Sequence, residues 1–245
     1  MSSAPAADQR RLLDVQDLDT RLAQLAHKRR TLPALARLTE LDAQLADLDT
    51  ALVTSRTAAS DLRTELAKAE ADVQQVRDRA ARDQARLDGG QVSAKDAQAL
   101  TSELASLATR QSHLEDVELE VMERLEAHEE ALAGLEQAHA ALVADRDAVV
   151  AERDAGYAEV DTEAQQVRAE RERSADGLDA GLVALYERLR GQLGGRGAAP
   201  LRGNRCEGCR LELNPLDLEQ IRARPADAVV RCEECGRILV RGADG

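Results

Sequence analysis

The sequence predicts a mainly α chain: a long antiparallel coiled-coil helical hairpin, followed by a small β-rich module at its C-terminal end. Three observations carry this. Apolar residues recur at alternating spacings of three and four through most of residues 18–189. Two adjacent glycines, Gly89 and Gly90, interrupt that repeat. All four cysteines of the 245-residue chain fall in two C-x-x-C pairs within residues 205–239.

The first arm is read from its seam. Leu41, Leu45, Leu48 and Leu52 are followed by the small Ser55 and Ala59, then by Leu62, Leu66, Ala69, Val73, Val76, Ala80 and Leu87. A repeat of 3.5 keeps such a stripe against a partner helix. Upstream stand Leu18, Leu22, Leu25, Leu32, Leu35 and Leu38. From Leu32 to Leu41 the spacing is three throughout, a phase slip, and Pro33 falls inside it. Proline removes a helical hydrogen bond and crowds the preceding turn, so a kink is expected near residues 31–33.

The tip is expected at about residues 88–94, with Ser93 as N-cap and Asp96 in the next turn. A second seam follows: Leu100, Leu104, Leu107, Leu114, Val121, Leu125, His128, Leu132, Leu135, His139, Leu142, Arg146 and Val149. It runs on, more polar, through Arg153, Gly156, Val160, Glu163 and Val167, and re-phases at Leu178, Leu182, Leu185 and Leu189. Folded back on the first arm, the second overshoots it. Residues 177–193 should therefore lie near the cysteine module. His128 and His139 stand eleven apart, not at the i, i+4 spacing of a helical metal pair, so they read as core or register residues. The hairpin is assigned to residues 1–193.

Composition narrows the function. The chain has no Phe, no Trp and two Tyr, with a formal net charge of −13. Residues 200–245 hold eight Arg and eight acidic residues, so the excess lies in residues 1–199, with 25 basic and 38 acidic residues. So acidic an arm repels phosphate backbones. No apolar run approaches the length of a membrane span, and the N-terminus has no apolar signal core, so no membrane association is expected and the location is read as cytoplasmic.

Residues 194–204 form a Gly/Arg-rich junction. Arg188, Arg190, Arg196, Arg202 and Arg205 fall in and around it with no acid among residues 188–205. It reads either as a flexible linker or as a patch for RNA or an acidic partner. With Arg210 and Arg237 these arginines are the candidate nucleic-acid or partner contacts.

Residues 205–245 are the module. Cys206 and Cys209, then Cys232 and Cys235, offer four soft thiolates in two turns, the ligand set that closes a tetrahedral shell around one zinc ion. With no position left for water, the ion is structural. Asn214 and Pro215 announce a short helix, and the segments 211–213 and 237–240 alternate like short strands. A redox dithiol would need a βαβ context that is absent, and disulfides fit a reducing cytosol poorly. A module this small depends on its metal, and it is expected to unfold on chelation while the coil stays helical. No phosphate loop or Ser/His/Asp arrangement appears, so no enzyme activity and no small-molecule substrate are expected.

The ends "CEGCRLEL…VVRCEECGRIL", the approach "LVALYERLR" at residues 182–190, and the stretch "ALTSELASLATRQSHLEDVELEVMERLE" at residues 99–126 together resemble a bacterial family of C4-type zinc-ribbon coiled-coil proteins. The resemblance implies cytoplasmic, non-enzymatic proteins with zinc on Cys206, Cys209, Cys232 and Cys235. It implies adaptor roles toward protein partners in some members and mRNA or sigma-factor binding in others. The leading expectation is thus an adaptor or scaffold using a zinc-ribbon head and a coiled-coil arm. The alternative is a nucleic-acid-binding regulator using the ribbon and the basic region 188–210.

Overall fold

The computed structural model describes residues 3–242. Four helices, α1 (Ala6–Arg30), α2 (Pro33–Asp88), α3 (Ala94–Ala175) and α4 (Ala180–Gln192), precede a small module. The module holds β1 (Ala198–Arg202), β2 (Arg205–Cys206), α5 (Pro215–Ala223), β3 (Val230–Arg231) and β4 (Ile238–Val240). The chain divides into two compact units: residues 37–149, and a base unit of residues 1–36 with 150–245.

Helix boundaries follow local chemistry. The α1 helix ends where Thr31 N–H closes back on the His27 and Lys28 carbonyls, and α2 restarts at Pro33. Proline is tolerated there because the first helical N–H has no partner to lose. The α2 helix stops at Asp88, where Gly90 takes φ +65°, a region that suits glycine. Ser93 opens α3 as a cap. Its Oγ accepts from Asp96 N–H at 3.2 Å and donates to the Asp96 carboxylate at 2.7 Å.

In the unit of residues 37–149, α2 and α3 run antiparallel. Asp42 pairs with Arg146, Arg56 with Glu136, Arg63 with Glu129, Arg77 with Glu115 and Arg79 with Glu103, one number rising as the other falls. These pairs are solvent-exposed and set register more than stability. The interior between them is the seam: Leu52, Ala59, Val73, Leu107 and Val121 are buried. His128 sits in that seam with Nε2 at 3.1 Å from Ser55 Oγ and 2.9 Å from the Ser55 carbonyl oxygen. It is a polar core residue with its partner in place. His139 lies at 3.0 Å from Asp49.

In the base unit, α1 packs antiparallel on the end of α3, burying Leu25, Val160, Ala164 and Val167. Gly156 admits the Leu32 side chain, whose Cδ1 would lie 3.3 Å from an added Cβ. After α3, Gly177 at φ +72° turns the chain, and Asp179 caps α4 by accepting from Leu182 N–H at 2.8 Å.

The module corrects two sequence expectations. Residues 198–202, read as part of a junction, form an interior strand. The sheet order is β2-β1-β4-β3, with β1 parallel to β4 and antiparallel to β2. The segment "AAPLR" lacks the β-branched alternation that marks a strand. It is recruited by two flanking strands rather than by its own propensity. The expected strand at 211–213 is reduced to one bridge, Glu212 with Arg205, whereas 238–240 is a strand.

The second correction concerns independence. The β4 side chains alternate: Ile238 and Val240 join Leu12, Val15, Leu182, Tyr186 and Leu189 in one core, while Leu239 points to the other face with Cys206 and Cys232. One face of the small sheet therefore packs on α1 and α4, and the other makes the ribbon's own core. The module and the coil's base share apolar contacts and lie in one compact unit.

Candidate metal centre and the surface around it

Two turns of matching geometry build the centre. In the first, Cys206 closes β2, and Arg210 N–H bonds the Cys206 carbonyl at 2.7 Å with Arg210 at φ +64°. In the second, Gly236 N–H bonds the Cys232 carbonyl at 2.8 Å with Gly236 at φ +73°. Glycine takes that conformation freely, while Arg210 is the one described non-glycine residue at positive φ, a position that costs a β-carbon-bearing residue energy. Cys206 N–H also bonds the Leu211 carbonyl, and Cys232 N–H the Arg237 carbonyl. Gly208 is needed for closeness: an added Cβ would stand 2.8 Å from Arg237 Cδ and 2.9 Å from Ala199 Cβ.

These turns bring all four Sγ atoms within 4.8 Å of one another, with Cys206–Cys235 and Cys209–Cys232 at 3.9 Å. Four sulfurs at ~2.3 Å from a tetrahedral zinc ion stand ~3.8 Å apart. The fit identifies one structural zinc site on Cys206, Cys209, Cys232 and Cys235, and zinc there would supply cross-linking of the two turns, not reactivity.

Without metal the thiols are unequal. Burial pushes the Cys206 thiol up, against backbone N–H groups of Cys209 and Gly208 that favour the thiolate. Burial pushes Cys232 up to about 12. Burial also acts on Cys235, but the backbone N–H and side chain of Arg237 and the neighbouring thiols outweigh it and lower it to about 7.

The seven candidate contact arginines separate into two groups. Arg188, Arg196, Arg202, Arg205 and Arg210 are exposed. The other two are committed inside the protein. Arg190 pairs with Asp19 at 2.5 Å and with Glu187, while Arg237 donates to the Arg196 and Leu193 carbonyls. Both brace the base of the head.

The sequence reading missed the groups that hold the head in place. Asp19, with its side chain 2% exposed, accepts from Tyr186 Oη at 2.7 Å and Arg171 Nε at 3.0 Å, and pairs with Arg190. Arg171 also contacts Glu187. Gln16 places Oε1 2.8 Å from Gly197 N–H and 3.3 Å from Ala198 N–H, fixing the start of β1 against α1. The only hint in the sequence was their polarity among apolar helix positions. Among the described residues no buried side-chain nitrogen or oxygen lacks a partner.

Known proteins share this architecture. The CT398-like coiled coil hairpin domain family matches residues 15–194, and the C4-type zinc ribbon domain family matches residues 205–239. An uncharacterized protein of Mycobacterium tuberculosis (strain H37Rv) is 39% identical over 238 residues, covering 97% of each chain. One of Mycobacterium leprae is 29% identical over 226 residues, covering 90% of this chain and 95% of its own. A solved structure from Mycobacterium smegmatis superposes with a TM-score of 0.88 at 35% identity, covering 98% of this chain and 100% of its own. That of CT398 from Chlamydia trachomatis does so at 0.69 and 20% identity, covering 96% and 98%, a likeness of fold alone.

Proposed function

The chain belongs to the CT398-like coiled-coil hairpin proteins that end in a C4-type zinc ribbon, and from that premise we propose that it is a cytoplasmic, non-enzymatic adaptor or scaffold. It engages protein partners through its zinc-ribbon head and its coiled-coil arm. No enzymatic family is indicated by the matches. Among the described residues no helix is long and apolar enough to cross a membrane.

The observation that carries the reading is the closed metal shell joined to the arm's base. Four thiolates leave zinc no open position for substrate or water, so the metal shapes a surface rather than doing chemistry. That surface is held rigid by the shared core of α1, α4 and β4, and a rigid head loses little entropy on docking. Cross-linked affinity capture from cells tests the reading. Wild type should retain specific proteins that Cys206→Ser with Cys232→Ser loses; retention of the same proteins by both would refute a role for the head.

A nucleic-acid reading is favoured by one observation, the exposure of Arg188, Arg196, Arg202, Arg205 and Arg210 along the region 188–210. Its test is RNA and single-stranded DNA binding across a salt series. A steep salt slope abolished by changing Arg196, Arg202, Arg205 and Arg210 together to Ala supports it. Absence of binding at low salt refutes it.

A further inference from the structure

Four arginines from three stretches of the sequence meet around one cavity of the base unit. Arg10 stands in the second turn of α1, Arg222 in the last turn of α5, Arg224 at that helix's C-cap, and Arg241 directly after β4. Among the described residues, they line a cavity of about 530 Å³ whose remaining lining is Ala, Leu and Gly, with no carboxylate.

Several arginines elsewhere in this unit meet acids: Arg21 with Glu163, Arg29 with Asp161, Arg171 and Arg190 with Asp19. Among the described residues, the four around the cavity do not. Arg241 donates to the Ile221, Arg224, Pro225, Ala226 and Ala228 carbonyls. Those carbonyls fix the guanidinium in place, yet carry no formal charge to cancel it. Arg222 donates to the Gly203 carbonyl. Arg10 and Arg224 are exposed, and their side chains make no hydrogen bond or ion pair among the described residues. Asp8, close to Arg10 in sequence, accepts from the Asp179 N–H at the N-cap of α4.

The geometry points to this cavity as the docking point for an acidic peptide segment of a protein partner, its Asp or Glu side chains entering between Arg10 and Arg224. The inference rests on the adaptor reading and names the partner's chemistry. Arginine forks take carboxylates with two parallel hydrogen bonds. A concave space of this size holds a few side chains, as ligand pockets do. Single-stranded nucleic acid would want aromatic faces for its bases, and the chain has no Phe or Trp and only Tyr157 and Tyr186, neither of which lines the cavity. Its arginines differ from the exposed ones of residues 188–210: they come from α1, α5 and the segment after β4, while Leu201 of β1 and Gly203 complete the lining.

Fluorescence anisotropy on the zinc-loaded full chain tests this with a labelled peptide of alternating Glu and Leu, its Gln counterpart, and poly-dT. The Glu peptide should bind, weaken as salt rises, and bind better than the Gln peptide. Arg10→Glu with Arg224→Glu should weaken it at least about tenfold, while Arg188→Glu with Arg196→Glu, both outside the lining, leaves it within about twofold. Circular dichroism checks folding. Should the double reversal unfold, Arg10→Gln and Arg224→Gln singly should each cost about threefold. Unchanged binding in the altered chains, equal binding of the Gln peptide, binding of poly-dT alone, or no binding overturns the inference. Capture of the same cellular proteins by wild type and by the double reversal refutes the cavity and spares the adaptor reading; capture of none by wild type refutes that reading itself.

Discussion

Asp19→Asn isolates what holds the head to the arm. The substitution keeps the shape and one acceptor oxygen but removes the charge that meets Tyr186, Arg171 and Arg190. Breaking a fully buried ion pair by removing one partner costs roughly 3–5 kcal/mol. Here the two arginines keep Glu187, and their side chains are 22% and 35% exposed, so water moderates the loss. About 2–3 kcal/mol is expected, since hydrogen bonds to charged groups contribute ~1.5–3 kcal/mol each and one acceptor remains. At ~2–4 °C per kcal/mol, the melting temperature should fall by about 5–10 °C. The assay is intrinsic tyrosine fluorescence. Both tyrosines, Tyr157 and Tyr186, belong to the base unit, and residues 37–149 contain no aromatic residue. The signal therefore reports the base alone, while circular dichroism reports helix throughout. A shift under ~0.5 kcal/mol, the ordinary range for surface substitutions, would refute the reasoning, because the network would then be no more than a surface ion pair.

Three further outcomes follow from the same structure. Chelation of zinc should change tyrosine fluorescence and lower the base's melting temperature as well as unfold the ribbon, because β4 contributes to both cores; an unaltered tyrosine transition in the metal-free chain would restore the two-domain view. Gly197→Ala would put a Cβ 2.7 Å from the Tyr186 carbonyl oxygen, and since that atom is backbone, about 1–3 kcal/mol of destabilisation is expected in urea unfolding; a neutral result would mean the α4–β1 connection yields easily. Burial, with Asp19 as hydrogen-bond partner, raises the Tyr186 hydroxyl above its ordinary range. A raised folded-state value leaves stability intact below the unfolded value near ~10 and removes it as pH climbs further. Tyrosinate absorbance from Tyr186 should therefore appear together with loss of the base's structure, and its appearance in the intact fold, checked in Tyr157→Phe, would contradict that burial.

Much of the molecule was legible because it rests on local rules. The 3–4 spacing of Leu41 through Leu87 marks a helix and its buried stripe without reference to anything distant. Ser93 and Asn214 cap helices through hydrogen bonds spanning three and two residues. Cys206-x-x-Cys209 and Cys232-x-x-Cys235 announce zinc because a tetrahedral thiolate shell needs two such turns. By contrast, "AAPLR" at residues 198–202 carries no strand signal of its own. Arg190 and Arg237 looked like free basic residues among seven, yet their partners, Asp19 and the carbonyls of Leu193 and Arg196, could be assigned only once the chain had folded.

The sequence by itself determined the helical hairpin, the metal and its four ligands, since periodicity, capping and ligand chemistry are properties of neighbouring residues. Only the tertiary structure decided that the ribbon and the coil's base share a core, that Asp19 and Gln16 lock the head, and that Arg10, Arg222, Arg224 and Arg241 face a common cavity. Each of these depends on residues brought together from distant parts of the chain, and side-chain pairing across such separations leaves no spacing to read.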